Sequence, residues 1–324
     1  MRDAVIGVDL GGTKIYTALA LPAGELLAEV VAPTGADGGL EQVLAKIVAT
    51  VRDVTSQAGP DLTVRALGIG APGPLDAETG LVYFAPNLGW HNVPLKDLLQ
   101  KALGLPVGVD NDANLAALGE QVFGAGRGVR SMVYITVSTG VGGGLILDGR
   151  IYHGAGGGAG EIGHTTIDPG GPVCGCGNRG CLEVLASGTA MARRAREIIA
   201  AGGGLNMLGA TGGLPGKVTA KTVADAAAAG DPEALAILAE AGRALGIGVA
   251  NVINLLNPEL VVLGGGAMKA GPPLWQAMEE EVRRRALQAS LARARLVPAQ
   301  LGSRAGVLGA VALAARALDN GTLL

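Results

Sequence analysis

Aromatic residues are nearly missing from this 324-residue chain, which holds two Phe, two Trp and four Tyr. That scarcity excludes a recognition surface built on stacked bases or stacked sugar rings. An excess of one charge is missing too: 25 Lys and Arg stand against 28 Asp and Glu, a net charge of −3, and no basic run occurs. The electrostatic footprint of a nucleic-acid binder is absent, so small molecules are the expected partners. No apolar stretch is long and unbroken enough for a bilayer. Residues 131–147 and 198–216 are interrupted by glycine and polar residues, and 244–258 is short and contains Asn251, Asn254 and Asn257. Met1-Arg2-Asp3 passes directly to a strand-like segment without the apolar core and cleavage site of a secretory signal, so a cytoplasmic protein is expected. Cysteine is confined to Cys174, Cys176 and Cys181, an odd number within eight residues, a spacing that argues for metal rather than disulfides.

Glycine, in contrast, is plentiful at 55 residues and implies many turns and close backbone approaches. Between these turns, β-rich runs at 4–9, 14–21 and 26–31 open the chain. Leu40, Val43, Leu44, Ile47, Val48, Val51 and Val54 then recur at the spacing of one buried helix face. Short apolar runs at 64–70 and 107–110 precede an alanine-rich helix at 113–123, an α/β alternation. The opening pattern returns at 132–137, with a glycine-rich turn at 138–144 and a strand at 145–147, which points to two related α/β domains with a cleft between them. Helices are expected near 186–201, 232–256, 273–287 and 305–318, a strand at 260–263, and a loop over 202–216.

Three glycine patterns compete as phosphate cradles. Gly68-x-Gly70-x-x-Gly73 has the spacing of a dinucleotide fingerprint, but Pro74 follows where a helix is required. Gly213-Leu214-Pro215-Gly216-Lys217 resembles the end of a Walker A loop, yet Thr211 and Val218 replace the glycine and hydroxyl it needs. What remains is a pair of turns in strand–turn–strand context. One is Asp9, Gly11, Gly12, Thr13 and Lys14; the other is Ser138, Thr139, Gly140, Val141, Gly142, Gly143 and Gly144, and two such turns could grip one nucleotide. Either alone is better explained as a tight hairpin, since glycine turns are common. His164 with the three cysteines supplies a complete tetrahedral set for zinc with no open position, hence a structural site. Asp112 lies between a strand end and a helix start. There it can cap the helix and can also accept the proton of an attacking hydroxyl.

Together the Asp9–Lys14 turn, Asn111-Asp112-Ala113-Asn114, the Ser138–Gly144 turn, Gly160-Glu161-Ile162-Gly163-His164 and the run from Cys174 to Glu183 resemble motifs of the ROK family of sugar kinases and repressors, over nearly the whole chain. The resemblance implies a two-lobed α/β fold of the actin-like ATPase (ribonuclease H-like) type, with a zinc loop in the second lobe. It implies a first lobe at 1–117, a second at 118–304, and a terminal helix at 305–324 returning to the first. It assigns Asp112 as the base and Asn111, Asn87, Gly73, Glu161, His164 and Glu183 to the sugar. The two turns are assigned to the phosphates of ATP, Gly264, Gly265 and Gly266 to the adenosine, and Asp9 to Mg²⁺ through water. His164, Cys174, Cys176 and Cys181 are assigned to Zn²⁺. Many family members carry Gly where this chain has Ser138. The implied reaction is ATP-dependent phosphorylation of glucose to glucose 6-phosphate by in-line transfer, with lobe closure excluding water. The alternatives are another hexose (fructose, mannose or an N-acetylhexosamine) or a non-catalytic sugar-sensing regulator. Regulators of this type carry an extra N-terminal helix-turn-helix, for which a first strand near Ala4 leaves no room. A homo-oligomer, dimer or tetramer, is also expected, with no nucleic-acid or membrane partner.

Overall fold

The computed structural model describes residues 2–320, which form two compact units. The first runs through Arg130 and is rejoined by Gly144–Gly160 and by the chain from Ala299 onward; the second is Ser131–Gly143 with Glu161–Pro298.

In the first unit, β1 (Arg2–Leu10), β2 (Lys14–Ala20) and β3 (Leu26–Pro33) form an antiparallel meander. β4 (Leu62–Ala71) extends the main sheet parallel to β1 and is followed along the chain by a separate hairpin sheet of β5 (Leu75–Asp76), β6 (Leu81–Ala85) and β7 (Trp90–Pro94). β8 (Val107–Asn111) then pairs parallel with β4, giving the order β3-β2-β1-β4-β8. β1 is an almost unbroken apolar run because both its faces are covered. Ile6, Val8 and Leu10 meet Val43, Ile47, Val51 and Val54 of α1 (Gly39–Ser56), in a core that also takes Leu95 and Leu99 of α2 (Leu95–Leu103). On the other face, Val5, Ala20 and Ala66 pack against Val311 and Ala314 of the C-terminal helix Ala305–Asn320. That helix also packs on Leu115 and Leu118 of α3 (Asp112–Phe123). The terminal residues 321–324 of the expected helix lie outside the described residues.

The second sheet has β9 (Met132–Val137), β10 (Val141–Leu147), β11 (Arg150–Ile151), β12 (Leu260–Gly264) and β13 (Arg295–Pro298) in the order β11-β10-β9-β12-β13. β9, β12 and β13 run parallel, as β1, β4 and β8 do. Counting only the strands of each five-stranded sheet in chain order, the order is third, second, first, fourth, fifth in both, so the weak internal similarity of the sequence is a repeated topology. The second unit's helices are α4 (Leu182–Ala186), α5 (Gly188–Ala200), α6 (Leu205–Gly209), α7 (Ala220–Ala228), α8 (Pro232–Leu256), α9 (Pro272–Arg285) and α10 (Gln288–Leu291). α8 starts where the Asp231 carboxylate accepts from the Ala234 N–H and Pro232 takes the first turn, and it ends at the left-handed Asn257. Among the described residues it is the one helix long and apolar enough to cross a membrane; 67% of its most apolar window is buried, so its apolar surface is already spent on the core.

Local expectations fail at two places. The stretch 202–216 is not all loop, since α6 forms there around the buried Met207, too short a helix for a periodicity signal. The turn expected over 138–144 is confined to 138–140, because the glycines from Gly142 to Gly144 continue β10.

Candidate active site

The parallel strands of the first unit all end along one edge. Asp9 of β1 stands opposite Gly70 of β4, and Ala71 of β4 opposite Asn111 of β8. Ligands of open α/β sheets gather at such carboxyl edges, and Asp9, Gly73, Asn111 and Asp112 lie along this one. Asn111, not Asp112, is the helix cap: its Oδ1 accepts from the N–H groups of Ala113 and Asn114 at 2.9 and 3.3 Å. The expectation that Asp112 caps the helix is thus corrected. Asp112 is the first residue of α3, its half-buried carboxylate accepting from the Ala113 N–H at 2.8 Å. The Asn111 amide donates to the Gly73 carbonyl at 3.3 Å, joining the two edge turns.

Beneath this corner lies a group that spacing alone did not reveal. The Asp110 carboxylate is fully buried. It accepts from the Asn111 N–H at 2.7 Å and the Asn114 amide at 3.0 Å, and it pairs with His153 Nε2 at 2.8 Å. The hydrogen bond to Asp110 raises the His153 pKa above its ordinary value, against partial burial, with the Asp110 and Asp76 charges adding to the rise.

The turn between β1 and β2 is closed by the Gly11 N–H donating to the Lys14 carbonyl at 2.9 Å. Buried Thr34 ties it from both sides, its hydroxyl donating to the Gly11 carbonyl at 2.7 Å and its N–H to the Thr13 carbonyl at 3.0 Å. Gly12 sits over exposed Asn87, where a Cβ would come within 2.9 Å of the Asn87 Cβ. Burial raises the pKa of Asp9, with the Lys14 charge acting the other way. A desolvated carboxylate at this edge suits a divalent ion held largely through water, the chemistry of Mg²⁺ on nucleotide phosphates.

In the second unit, Ser138, Thr139 and Gly140 form the bend from β9 into β10. The Gly188 N–H donates to the Ser138 carbonyl and the Thr189 hydroxyl to the Thr139 carbonyl, both at 2.7 Å. Gly264 ends β12 and Gly265 and Gly266 follow it; Gly265, at φ 91°, lies directly on the Val137 carbonyl. The two glycine turns are therefore neighbours at the carboxyl edge of β9 and β12.

His164, Cys174, Cys176 and Cys181 place their ligand atoms within 4.8 Å of one another. Cys176 Sγ to Cys181 Sγ and Cys174 Sγ to His164 Nδ1 are each 3.7 Å. With zinc–sulfur and zinc–nitrogen bonds of about 2.3 and 2.0 Å, the edges of a tetrahedron are roughly 3.5–3.8 Å, so the donor set fits zinc. A backbone hydrogen bond from Asn178 brings the Cys176 thiol down to about 7, whereas burial pushes Cys181 up to about 12. His164 turns Nε2 toward Glu161, 4.0 Å away. Glu183 does something not expected of it: its Oε2 accepts from the Val141 N–H at 3.1 Å, at the end of the Ser138–Gly140 bend.

The ROK family profile matches residues 5–317 of this chain. The chain is 42% identical to a glucokinase of Halalkalibacterium halodurans over 306 residues, 94% of this chain and 92% of that one. Its fold is similar to the crystal structure of a ROK family glucokinase from Streptomyces griseus in complex with glucose and AMPPNP, with a TM-score of 0.84, 37% identity, and coverage of 97% of this chain and 99% of that one. It is also similar to a ROK family transcriptional regulator, with a TM-score of 0.88, 32% identity, and coverage of the whole of this chain and 80% of that one.

Proposed function

The chain belongs to the ROK family, and from that premise we propose that it transfers the γ-phosphoryl group of ATP to the 6-hydroxyl of glucose. The observation that carries this reading is the Asn111–Asp112 corner, a half-buried carboxylate held on the first turn of a helix at the carboxyl edge of a parallel sheet. Asp112 takes the proton from the sugar hydroxyl as the oxygen attacks, and in doing so aims it. Asn111 spends its amide oxygen on the helix cap and one amide hydrogen on Gly73, so its remaining donor is held in a set direction for a sugar hydroxyl. Glu161, Asn87 and the Gly73 turn are assigned to further hydroxyls, which carboxylates and amides read through paired hydrogen bonds. Backbone N–H groups at Gly12 and Thr13, and at Thr139 and Gly140 of the second turn, are assigned to the phosphates. Asp9 would hold Mg²⁺, which neutralises charge developing on the phosphate oxygens. The zinc set is closed and organises its loop without taking part in transfer.

The test is a coupled assay of Mg·ATP-dependent phosphorylation over a panel of hexoses, beside Asp112→Asn. Glucose is expected to turn over fastest, and the variant to lose about a hundred- to ten-thousand-fold in kcat with zinc content and fold retained. Near-normal turnover in the variant would refute Asp112 as the base. The likeness to a regulator supports a second reading, a site that binds a sugar without consuming it. Sugar binding with no phosphorylation of any hexose would select that reading.

A further inference from the structure

The metal loop and the Ser138–Val141 bend are joined more closely than a sugar-binding role for Glu183 requires. The peptide group of Val141 is held on both sides. Its N–H donates to Glu183, two residues beyond the metal ligand Cys181. Its carbonyl oxygen lies on the Cα of Gly163, next to the ligand His164, so closely that a Cβ at Gly163 would overlap it. The stems carrying these two residues are themselves tied, the Leu182 N–H donating to the Thr165 carbonyl at 2.9 Å. Gly140 leaves the space that the Glu183 carboxylate occupies, since a Cβ there would overlap Oε2. Beyond α4, the Gly188 N–H and the Thr189 hydroxyl take the carbonyls of Ser138 and Thr139. Ser138, Thr139 and Val141 are thus each anchored to the segment that the cysteine–histidine cluster terminates, and Gly140 is shaped to fit it. That segment has little core of its own: of the residues from Cys174 to Cys181, only Cys174, Gly180 and Cys181 are buried.

We propose that the zinc loop is a mould for the nucleotide turn. Through Glu183 and Gly163 the cluster sets the backbone of Ser138–Val141, and nucleotide affinity, not only sugar affinity, depends on the metal. A turn can cradle phosphate only when its N–H groups converge, and a loop free to sample other conformations must be ordered at the cost of binding energy. This inference rests on the reading of Ser138–Gly144 as a nucleotide phosphate site. Glu183 acts on nucleotide as a positioning residue, through its bond to the Val141 N–H and its fit against Gly140.

The experiment measures Mg·AMPPNP binding by calorimetry without sugar, together with amide hydrogen exchange over residues 138–144. It compares the zinc-loaded parent, chelator-stripped protein, and zinc-loaded Glu183→Ala, Glu183→Gln and Thr189→Val. Stripping and Glu183→Ala are each expected to weaken nucleotide binding tenfold or more and to speed exchange in the turn, with one zinc per chain retained in the variant. Glu183→Gln keeps an acceptor for the Val141 N–H and is expected to stay within about threefold of the parent. Thr189→Val, which removes one outer tie, is expected to fall between. Should stripping unfold the protein, the zinc-loaded variants decide the question alone. Zinc-loaded Glu183→Ala that binds nucleotide within twofold of the parent, losing only hexose affinity, overturns the inference and leaves the kinase reading standing. A zinc-loaded parent that binds no nucleotide overturns the kinase reading, and this inference with it.

Discussion

At Asp9, stability and function pull in opposite directions. Its carboxylate is desolvated at the end of β1 and sits over the first turn of the C-terminal helix, where a Cβ on Gly306 would come within 2.8 Å of Oδ2. Asp9→Asn removes the cost of burying that charge, so its thermal midpoint is expected to rise, by an amount equivalent to about 1 kcal/mol, while Mg·ATP-dependent turnover is lost. A scanning calorimetry trace showing a lower midpoint would contradict this account. At His153 the pKa shift has the opposite use. The unfolded imidazole titrates near 6.5, and Asp110 holds the folded one protonated to higher pH. The stabilisation from this pair is therefore complete below about pH 6.5 and fades as pH rises through the raised folded value. The stability difference between parent and His153→Gln is expected to be larger at pH 6 than at pH 9, and an equal difference at both, measured by urea unfolding, would refute it. The position of Asp112 at a strand end and helix start, and the gathering of His164 with the three cysteines, were legible from residue type and spacing. Asp110 and His153 were not, because they lie 43 positions apart and only packing brings them together.

Among the elements, the C-terminal helix shows how glycine pattern misleads and then explains itself. Gly68, the first residue of the apparent dinucleotide fingerprint, lies where a Cβ would overlap the Ala310 carbonyl, so its lack of a side chain serves helix-on-sheet packing. Gly309 likewise lies on the Leu115 carbonyl of α3, with its amide nitrogen within 2.9 Å of where a Cβ on Gly119 would sit. Gly309→Ala has no flexible neighbour to displace, only backbone. It is expected to cost about 2–3 kcal/mol and, because α3 begins at Asp112, to lower kcat as well. A urea midpoint unchanged from the parent would show that the two helices can separate freely. The long amphipathic α1 and apolar α8 were legible because periodicity accumulates over many residues. The hairpin sheet β5-β6-β7 and the short α2 were not, since strands of two to five residues and a nine-residue helix give too few periods, and Leu95 and Leu99 become core only once α1 and β8 surround them.

For the chain as a whole, the first unit is discontinuous, assembled from three separated segments. A fragment ending at Arg130 lacks the C-terminal helix and leaves Val5, Ala20, Ala66, Leu115 and Leu118 without their cover. Such a fragment is expected to be insoluble or to lack a cooperative unfolding transition, and a soluble fragment with native-like near-ultraviolet dichroism would show that the helix is dispensable. Residue chemistry and local spacing were enough to establish the α/β alternation, the repeated strand–turn–strand opening, the metal donor set and the carboxylate proposed as base, since each depends on neighbours within a few positions. Tertiary structure alone decided that both halves share one strand order, that Asn111 and not Asp112 caps the helix, that Asp110 is paired, and that Glu183 reaches the Val141 amide. The cap is local but turns on which of two adjacent polar side chains faces the helix end; the other outcomes depend on which groups meet across tens of residues or more, where close packing leaves one arrangement and the sequence pattern leaves many.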